Sequence, residues 1–389
     1  MHRRDFMKTA TGLVAAGAFA QIGAIRQAAA ASSVKIGILI PMSGPAGLFG
    51  PSSKDCAELA VDQINAAGGV LGQKIEPIYV DAGASPANVT QSVLKVWKGQ
   101  GARAFIGMHD SAVRGALVNL FKGQVPYVYT PVYEGGACGK GLYAIGETPS
   151  QQLKPVIPWL ASNKGTSKWY LIGNDYNWPR DTNKAAKGYI AASRGTVVGE
   201  DYLPFAVDNF DSNLAKIKQS GANAVLVTLV GGASVGFNRA FASFGLADSV
   251  LRLGTLIEEN TLAGIGAQSS KNLFSSAGFF AAVDTPNVKA FDKKYADKFG
   301  PKAPALNTLG ESCYDGLLFL DALAKKAGSL KVADLDSAAD KGVSYDSPRG
   351  KLTYKKGEVA SNIYLAEASG ASFKIVKTFE NVSSGGTCA

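Results

Sequence analysis

Histidine is almost missing from this 389-residue chain: it has two, and one of them, His2, stands at the extreme N-terminus. With His109 alone in the body of the chain, no pair of histidines can hold a catalytic metal, and any Ser-His-Asp triad must use that single ring. The neighbours His109, Asp110 and Ser111 cannot form the triad among themselves, because consecutive side chains diverge along extended chain. Cysteine is scarce too. Cys56, Cys138, Cys313 and Cys388 are far apart with no Cys-x-x-Cys pair, which speaks against zinc. No Gly-x-Ser-x-Gly elbow occurs, and GGASVG (231–236) has neither the Gly-x-Gly-x-x-Gly spacing nor the Gly-Lys-Ser/Thr ending of a phosphate cradle. Glu258 and Glu259 are adjacent, a poor geometry for paired acid and base work. The expectation is a protein that is not an enzyme, with no metal and no cofactor.

Long apolar runs and dense basic clusters are also lacking. Beyond the N-terminus nothing approaches the roughly 20 apolar residues of a membrane span. Lysine and arginine outnumber the acids by 40 to 31, but they are dispersed and not interleaved with aromatics, which argues against nucleic acid as a partner. Residues 1–31 read as an export leader: Arg3 and Arg4, then Phe6 and Lys8, a weakly apolar run from Thr9 to Ile25, Arg26 and a stretch of alanines. The Arg-Arg-Asp-Phe-Met-Lys order resembles a twin-arginine signal, with cleavage expected near Ala30 or Ala31. A membrane anchor is the alternative, for which the run is short and rich in glycine and alanine. Loss of the leader lowers the net charge from +9 to +6 and places the protein in the periplasm. One disulfide is plausible there, with Cys138 and Cys388 as the candidates because both lie in glycine-rich irregular sequence; Cys56 and Cys313 fall in helical patterns as buried thiols.

What the chain does have is glycine, 45 residues of it, a 46% hydrophobic content, and a regular alternation of strand and helix patterns. About 360 residues after the leader suit two domains. VKIGILI (34–40), IEPIYV (75–80), RAFIG (103–107) and PYVYT (126–130) read as strands, separated by a helix ending at Gly68 and Gly69, one after Pro86 and one from about Ser111. The rhythm restarts with a helix around 151–162, a strand at 168–173, a helix from about Pro179 to Ser193, strand TVVGEDYLP, a helix at 211–220, strand NAVLVTLV and a helix from Ser234 to Phe244. Such repeated βα units imply an α/β fold of two doubly wound parallel-sheet lobes. Helical patterns at 287–299 and 308–327 precede a strand-rich tail that reads as a meander. The segment WYLIGNDYNWPR (169–180) is the most telling: a short apolar strand stops at Gly173 and releases Tyr176 and Trp178 at its C-terminal end, the edge where open parallel sheets bind ligands. Packing of both rings against the following helix is the alternative.

Three segments, GMHDSAVRGA (107–116), YTPVYEGG (129–136) and GNDYNWPR (173–180), in this order and spacing, resemble the amide- and urea-binding branch of the leucine/isoleucine/valine-binding protein family. VKIGILIPMSG, INAAGGVLGQKIEPIYVDAG and ESCYDGLLFLDALAKKAG extend the resemblance over nearly the whole chain. It implies a periplasmic binding protein fold of type I, a flytrap of two lobes joined by a three-crossing hinge. Lobe one is expected at 34–145 plus 284–341 and lobe two at 146–283 plus 342–389. The implied role is capture of a small polar solute, an amide, urea or amino-acid-like molecule, for an inner-membrane ABC permease, by a protein expected to be a monomer. A periplasmic sensor reporting to a membrane receptor or kinase is the alternative.

By the same resemblance Ser111 anchors the solute at a helix start, where a plain N-cap role is equally open. Tyr129, Pro131 and Tyr133, with Glu134, line the first lobe's mouth, and Tyr176 and Trp178 face it from the second. Val230, Gly231, Thr255 and Glu258 belong to two further loops of the site, while Arg180 pairs with Asp175 or a helix end. The chain departs from the branch at His109 and Asp110, where an aromatic ring and a neutral residue are usual, at Thr130 and Pro131, and at Val113 and Arg114, where amino-acid binders offer a second hydroxyl. An imidazole and a carboxylate at a cleft edge favour a solute with a donor-rich or cationic end; both facing solvent is the other possibility.

Overall fold

The computed structural model describes residues 33–385; the expected leader and Cys388 lie outside them. Five parallel strands, β1 (Ser33–Ile40), β2 (Lys74–Asp81), β3 (Ala104–Gly107), β4 (Tyr127–Tyr129) and β5 (Leu142–Ala144), form a first sheet in the order β2-β1-β3-β4-β5. Helices α1 (Gly50–Ala66), α2 (Pro86–Leu94) and α3 (Ser111–Phe121) make its crossovers. The second sheet is built by β6 (Lys168–Asn174), β7 (Thr196–Leu203), β8 (Ala224–Thr228), β9 (Leu251–Gly254) and β10 (Leu273–Ala277), parallel in the order β10-β9-β8-β6-β7. Its helices are α4 (Pro149–Gln152), α5 (Val156–Lys164), α6 (Asn177–Ala192), α7 (Asp211–Ser220), α8 (Gly231–Ser243) and α9 (Glu259–Ile265). The chain then returns to the first sheet through α10 (Pro286–Phe299), α11 (Thr308–Ala327) and α12 (Val332–Asp340), with α11 packed on α1, β3 and β4. An antiparallel meander, β11 (Val343–Ser347), β12 (Gly350–Lys355), β13 (Glu358–Ser369) and β14 (Ser372–Ser383), closes the molecule by pairing β13 with β10.

The central strands are apolar on both faces because helices cover both: β3 and β8 are buried throughout and β6 at all but its first residue. Each large apolar side chain buried there contributes about 1.5–3 kcal/mol. The helix read at 151–162 is two helices. Pro155 has no N–H to donate, and the chain kinks through Leu153–Pro155 before α5 begins at Val156. Helix α6 starts two residues before Pro179 and α8 three before Ser234, so Trp178 and Gly231 sit in first turns rather than in loops. Strands β5, β9 and β10 run only three to five residues, too short for alternation to reveal them.

The chain passes between the two sheets three times, and the crossings meet at one buried ionic cluster. Arg349, in the turn between β11 and β12, bonds Glu147 of the first crossing at 2.7 Å and Asp315 of α11 at 3.1 Å, with Glu311 at 3.3 Å. Glu147 also accepts the Gly278 amide of the second crossing at 3.2 Å. One guanidinium thus ties together all three connections. Cys56 and Cys313 are free and buried, and Cys138 is disulfide-bonded.

Candidate functional site

Between the sheets, at the C-terminal ends of their strands, lies a narrow cleft with about 40 Å³ of water-accessible space. From the first lobe come Pro41 and Phe49 after β1, the run Met108 to Ser111 after β3, and Tyr129, Pro131 and Val132 after β4. Tyr176 and Trp178 after β6, Phe205 after β7, Val230 after β8 and Leu256 after β9 face them from the second. Leu309 of α11 completes the wall. Parallel strands end on one edge, so chain turns far apart in sequence converge there.

The walls are mostly apolar and aromatic. Tyr176 stacks on Phe205 with ring centroids 4.7 Å apart and 29° between planes, and Trp178 lies 6.3 Å from Tyr176. Tyr176 is the residue just before α6, and its hydroxyl is pushed well above the usual phenol range by burial, so it stays a neutral donor. Trp178 packs at the start of its helix and also lines the cleft.

Polarity is concentrated at the N-terminus of α3. Asp110 caps the helix, accepting the Val113 amide at 2.8 Å, a bond worth about 1 kcal/mol to the helix. The amides of Ser111 and Ala112 have no acceptor inside the helix and carry its positive dipole end. The Ser111 hydroxyl donates to Glu134 at 2.7 Å, and Arg114, one turn on, donates to Ser111 at 3.3 Å and to Glu134. Arg114 is sandwiched by Tyr129 and Tyr133, 4.8 and 5.6 Å from their ring centres. Glu134 also accepts Asn177 of the opposite lobe at 3.2 Å. Ser111 is therefore held by a buried Arg–Glu pair below the cleft floor.

His109 is not at the solvent. It is 4% exposed, with Nδ1 3.0 Å from the Asp110 carbonyl and Nε2 2.9 Å from the Tyr127 hydroxyl. A carbonyl only accepts, so Nδ1 carries the proton and Nε2 accepts from Tyr127. Burial draws its pKa down to about 4, which keeps the ring neutral. Asp110 retains its second oxygen without a partner among the described residues, at the cleft wall.

Eight of the residues singled out from sequence line the cleft: His109, Asp110, Ser111, Tyr129, Pro131, Tyr176, Trp178 and Val230. Four do not. Tyr133 packs behind Tyr129 at 6.2 Å. Glu258 is the N-cap of α9, its carboxylate taken by the Asn260 and Thr261 amides at 2.7 and 2.8 Å. Thr255 turns its carbonyl to Gln152 at 2.9 Å. Gly231 meets the other lobe: the next amide, of Gly232, donates to the Pro45 carbonyl at 3.0 Å, and a Cβ at Gly231, whose φ is +55°, would stand 2.0 Å from that oxygen. Sequence reasoning did not single out Phe49, Met108, Phe205, Leu256 or Leu309. Only Met108, beside His109, has a positional signal. Arg180 pairs with Asp175 at 2.7 Å, as expected.

The sequence model of the periplasmic binding protein family matches residues 33–372. The chain belongs to that family. This binding protein is 27% identical over 383 residues to a Leu/Ile/Val-binding protein homolog of Brucella melitensis, covering 94% of this chain and 97% of the relative. Among solved structures it is similar to a solute binding protein of an ABC transporter from Rhodopseudomonas palustris in complex with p-hydroxybenzoic acid (TM-score 0.82, 23% identity, 91% of this chain and 99% of that one). It also resembles a branched-chain amino acid transporter substrate binding protein from Streptococcus pneumoniae in complex with isoleucine (TM-score 0.79, 20% identity, 90% and 100%). The binding protein thus has the type I periplasmic binding fold, and its family is one of solute binders rather than enzymes.

Proposed function

We propose that this protein is the periplasmic solute-binding component of an ABC importer, taking a small solute with a flat or branched apolar body and a dipolar head. The observation that carries the reading is the pairing of donors and an acceptor at one end of an otherwise apolar cleft. The first amides of α3 offer N–H groups to a carboxylate or carbonyl oxygen, and the Ser111 hydroxyl joins them only by exchanging its bond to Glu134. Beside them the Asp110 carboxylate offers an acceptor to an ammonium or amide N–H. Arg114 is already matched by Glu134, so it leaves no unpaired cation for a purely anionic head. An apolar α-amino acid or an amide with an apolar substituent satisfies both groups; urea and acetamide leave the aromatic walls uncovered. Closure follows because Ser111 and Tyr129 stand on one lobe and Tyr176, Trp178 and Phe205 on the other, so a bound solute contacts both and favours their approach.

A second reading is supported by the aromatic walls and by the ligand of the Rhodopseudomonas palustris structure: an aromatic carboxylate. Asp110 beside the head site works against it. A thermal-shift and calorimetry panel of leucine, phenylalanine, benzamide, benzoate, 4-hydroxybenzoate, acetamide and urea separates the two. Benzamide or an apolar amino acid is expected to bind, at 100 times its dissociation constant adding about 2.7 kcal/mol to stability. Tight benzoate binding with no response to the amide or the amino acids would replace the first reading by the second.

A further inference from the structure

A second cavity adjoins the cleft, and its position says how the solute extends. It has about 220 Å³ of water-accessible space and shares Pro41, Ala46, Asp110 and Phe205 with the inner cleft. Beyond these four, its walls are the β1–α1 turn at Pro45, the β2–α2 turn at Ala82 to Pro86, and Ala112 of α3. The shared residues come from three turns, those after β1 (Pro41 and Ala46), β3 (Asp110) and β7 (Phe205), so segments of both lobes bound the two spaces together.

The outer space is built and held. Asp81, the last residue of β2, accepts the amides of Met42, Ser43 and Gly83 at 2.8, 3.2 and 2.9 Å through one oxygen, tying the two turns together. They touch through glycines: a Cβ on Gly83 would lie 2.0 Å from the Ser43 carbonyl oxygen, and one on Gly44, at φ +68°, 2.6 Å from that of Gly83. The surface they present is proline, alanine and glycine, with Phe205 opposite. Apart from the exposed Ser85, which caps α2, the one polar side chain there is Asp110 at the boundary.

Resting on the reading above, we infer that the solute is a two-part molecule, an N-substituted amide, with one apolar group in the inner cleft and a second in the outer cavity. The linking amide lies at the shared boundary. Its carbonyl accepts from the first α3 amides, and its N–H donates to the free oxygen of Asp110. A carboxylate at this boundary is well suited to an N–H donor carrying substituents on both sides, and the outer walls demand nothing of the second group but apolar surface. Phe205 serves both spaces, stacked on Tyr176 on the inner side.

Calorimetry with benzamide and N-butylbenzamide tests this in the wild type and in Ala84→Phe, which narrows the outer cavity alone. The butyl group is expected to improve affinity at least tenfold in the wild type. Ala84→Phe should abolish most of that gain while leaving benzamide within about twofold. Equal affinity of the two amides in the wild type, or equal weakening of both by Ala84→Phe, overturns the two-part assignment. Benzamide binding without the butyl gain leaves the head-group reading standing and removes only the outer subsite; failure of both amides to bind removes both. A control melt of Ala84→Phe separates loss of the subsite from loss of the fold, since an unfolded variant would lose benzamide binding too; Ala84→Leu then repeats the comparison with a smaller plug.

Discussion

Two buried arginines, Arg349 at the crossings and Arg114 under the cleft, solve the same problem with different numbers of partners. Arg349 is enclosed by three carboxylates, of Glu147, Glu311 and Asp315, each at most 5% exposed. Burial pushes the Glu311 carboxyl well above the usual range in spite of the guanidinium. Arg114 has one carboxylate, Glu134, and shares Ser111 with it. The crossing cluster is over-supplied with acceptors: Glu311 Oε2 and Asp315 Oδ1 are buried there without a hydrogen bond among the described residues. The cleft pair leaves a hydroxyl, and a bond from Asn177 across the lobes, that a solute can exchange for its own. A buried ion pair is costly to break but adds little over an apolar packing, so what differs between the ends is what each arrangement holds in place. One holds three chain crossings; the other holds a serine.

The largest effect that would test this contrast is at the crossings. Arg349→Met leaves buried carboxylates without their cation and is expected to cost about 3–5 kcal/mol of stability, read as a lowered urea midpoint with or without solute. A stability within about 1 kcal/mol of wild type would show that the crossings do not depend on the cluster.

Next is the cleft's histidine. His109 is flanked by Asp110, Arg114 and the hydroxyls of Tyr127 and Tyr129, and its pKa is drawn from 6.5 down to about 4 by burial. Above pH 6.5 the ring is neutral folded and unfolded, so it adds no pH dependence. As pH falls from 6.5 to 4 the unfolded chain binds the proton and the folded one does not, so stability declines, by up to about 3 kcal/mol. His109→Gln should remove that part of the slope while retaining a donor and an acceptor; identical profiles for the two proteins would contradict the buried neutral ring.

Tyr176→Ala should weaken binding of the solute identified in the panel by about 2 kcal/mol or more, as loss of a buried aromatic anchor does, with an unchanged melting curve in its absence. Scattering should show the variant compacting only at higher solute concentration. Ser111→Ala is the smallest, about 1 kcal/mol of binding for one hydrogen bond. Full wild-type affinity in both variants would move the site elsewhere.

The residues at strand ends were legible because a parallel sheet makes them so: Gly173 stopping an apolar run put Tyr176 and Trp178 at the edge, and the segment after RAFIG put Ser111 at a helix start. Glu258 looked like a site residue for the same reason, but an acid followed three residues later by Thr261 is also a helix cap, and local bonding claimed it. No local signal marked Phe49, Phe205, Leu256 or Leu309. Each is one apolar residue among many until the turns converge.

The sequence by itself determined the α/β alternation, the positions of the strand ends and the scarcity of catalytic groups, since these follow from short-range periodicity and composition. Tertiary structure alone decided that Arg114 and Glu134, 20 residues apart, support Ser111. It decided that His109 is buried and neutral, and that Gly231 yields its space to Pro45 rather than to the cleft. It decided, too, that three crossings from distant parts of the chain close on Arg349. The reason is physical: burial, and the charge state that depends on it, belongs to the packed arrangement of segments and not to any one of them.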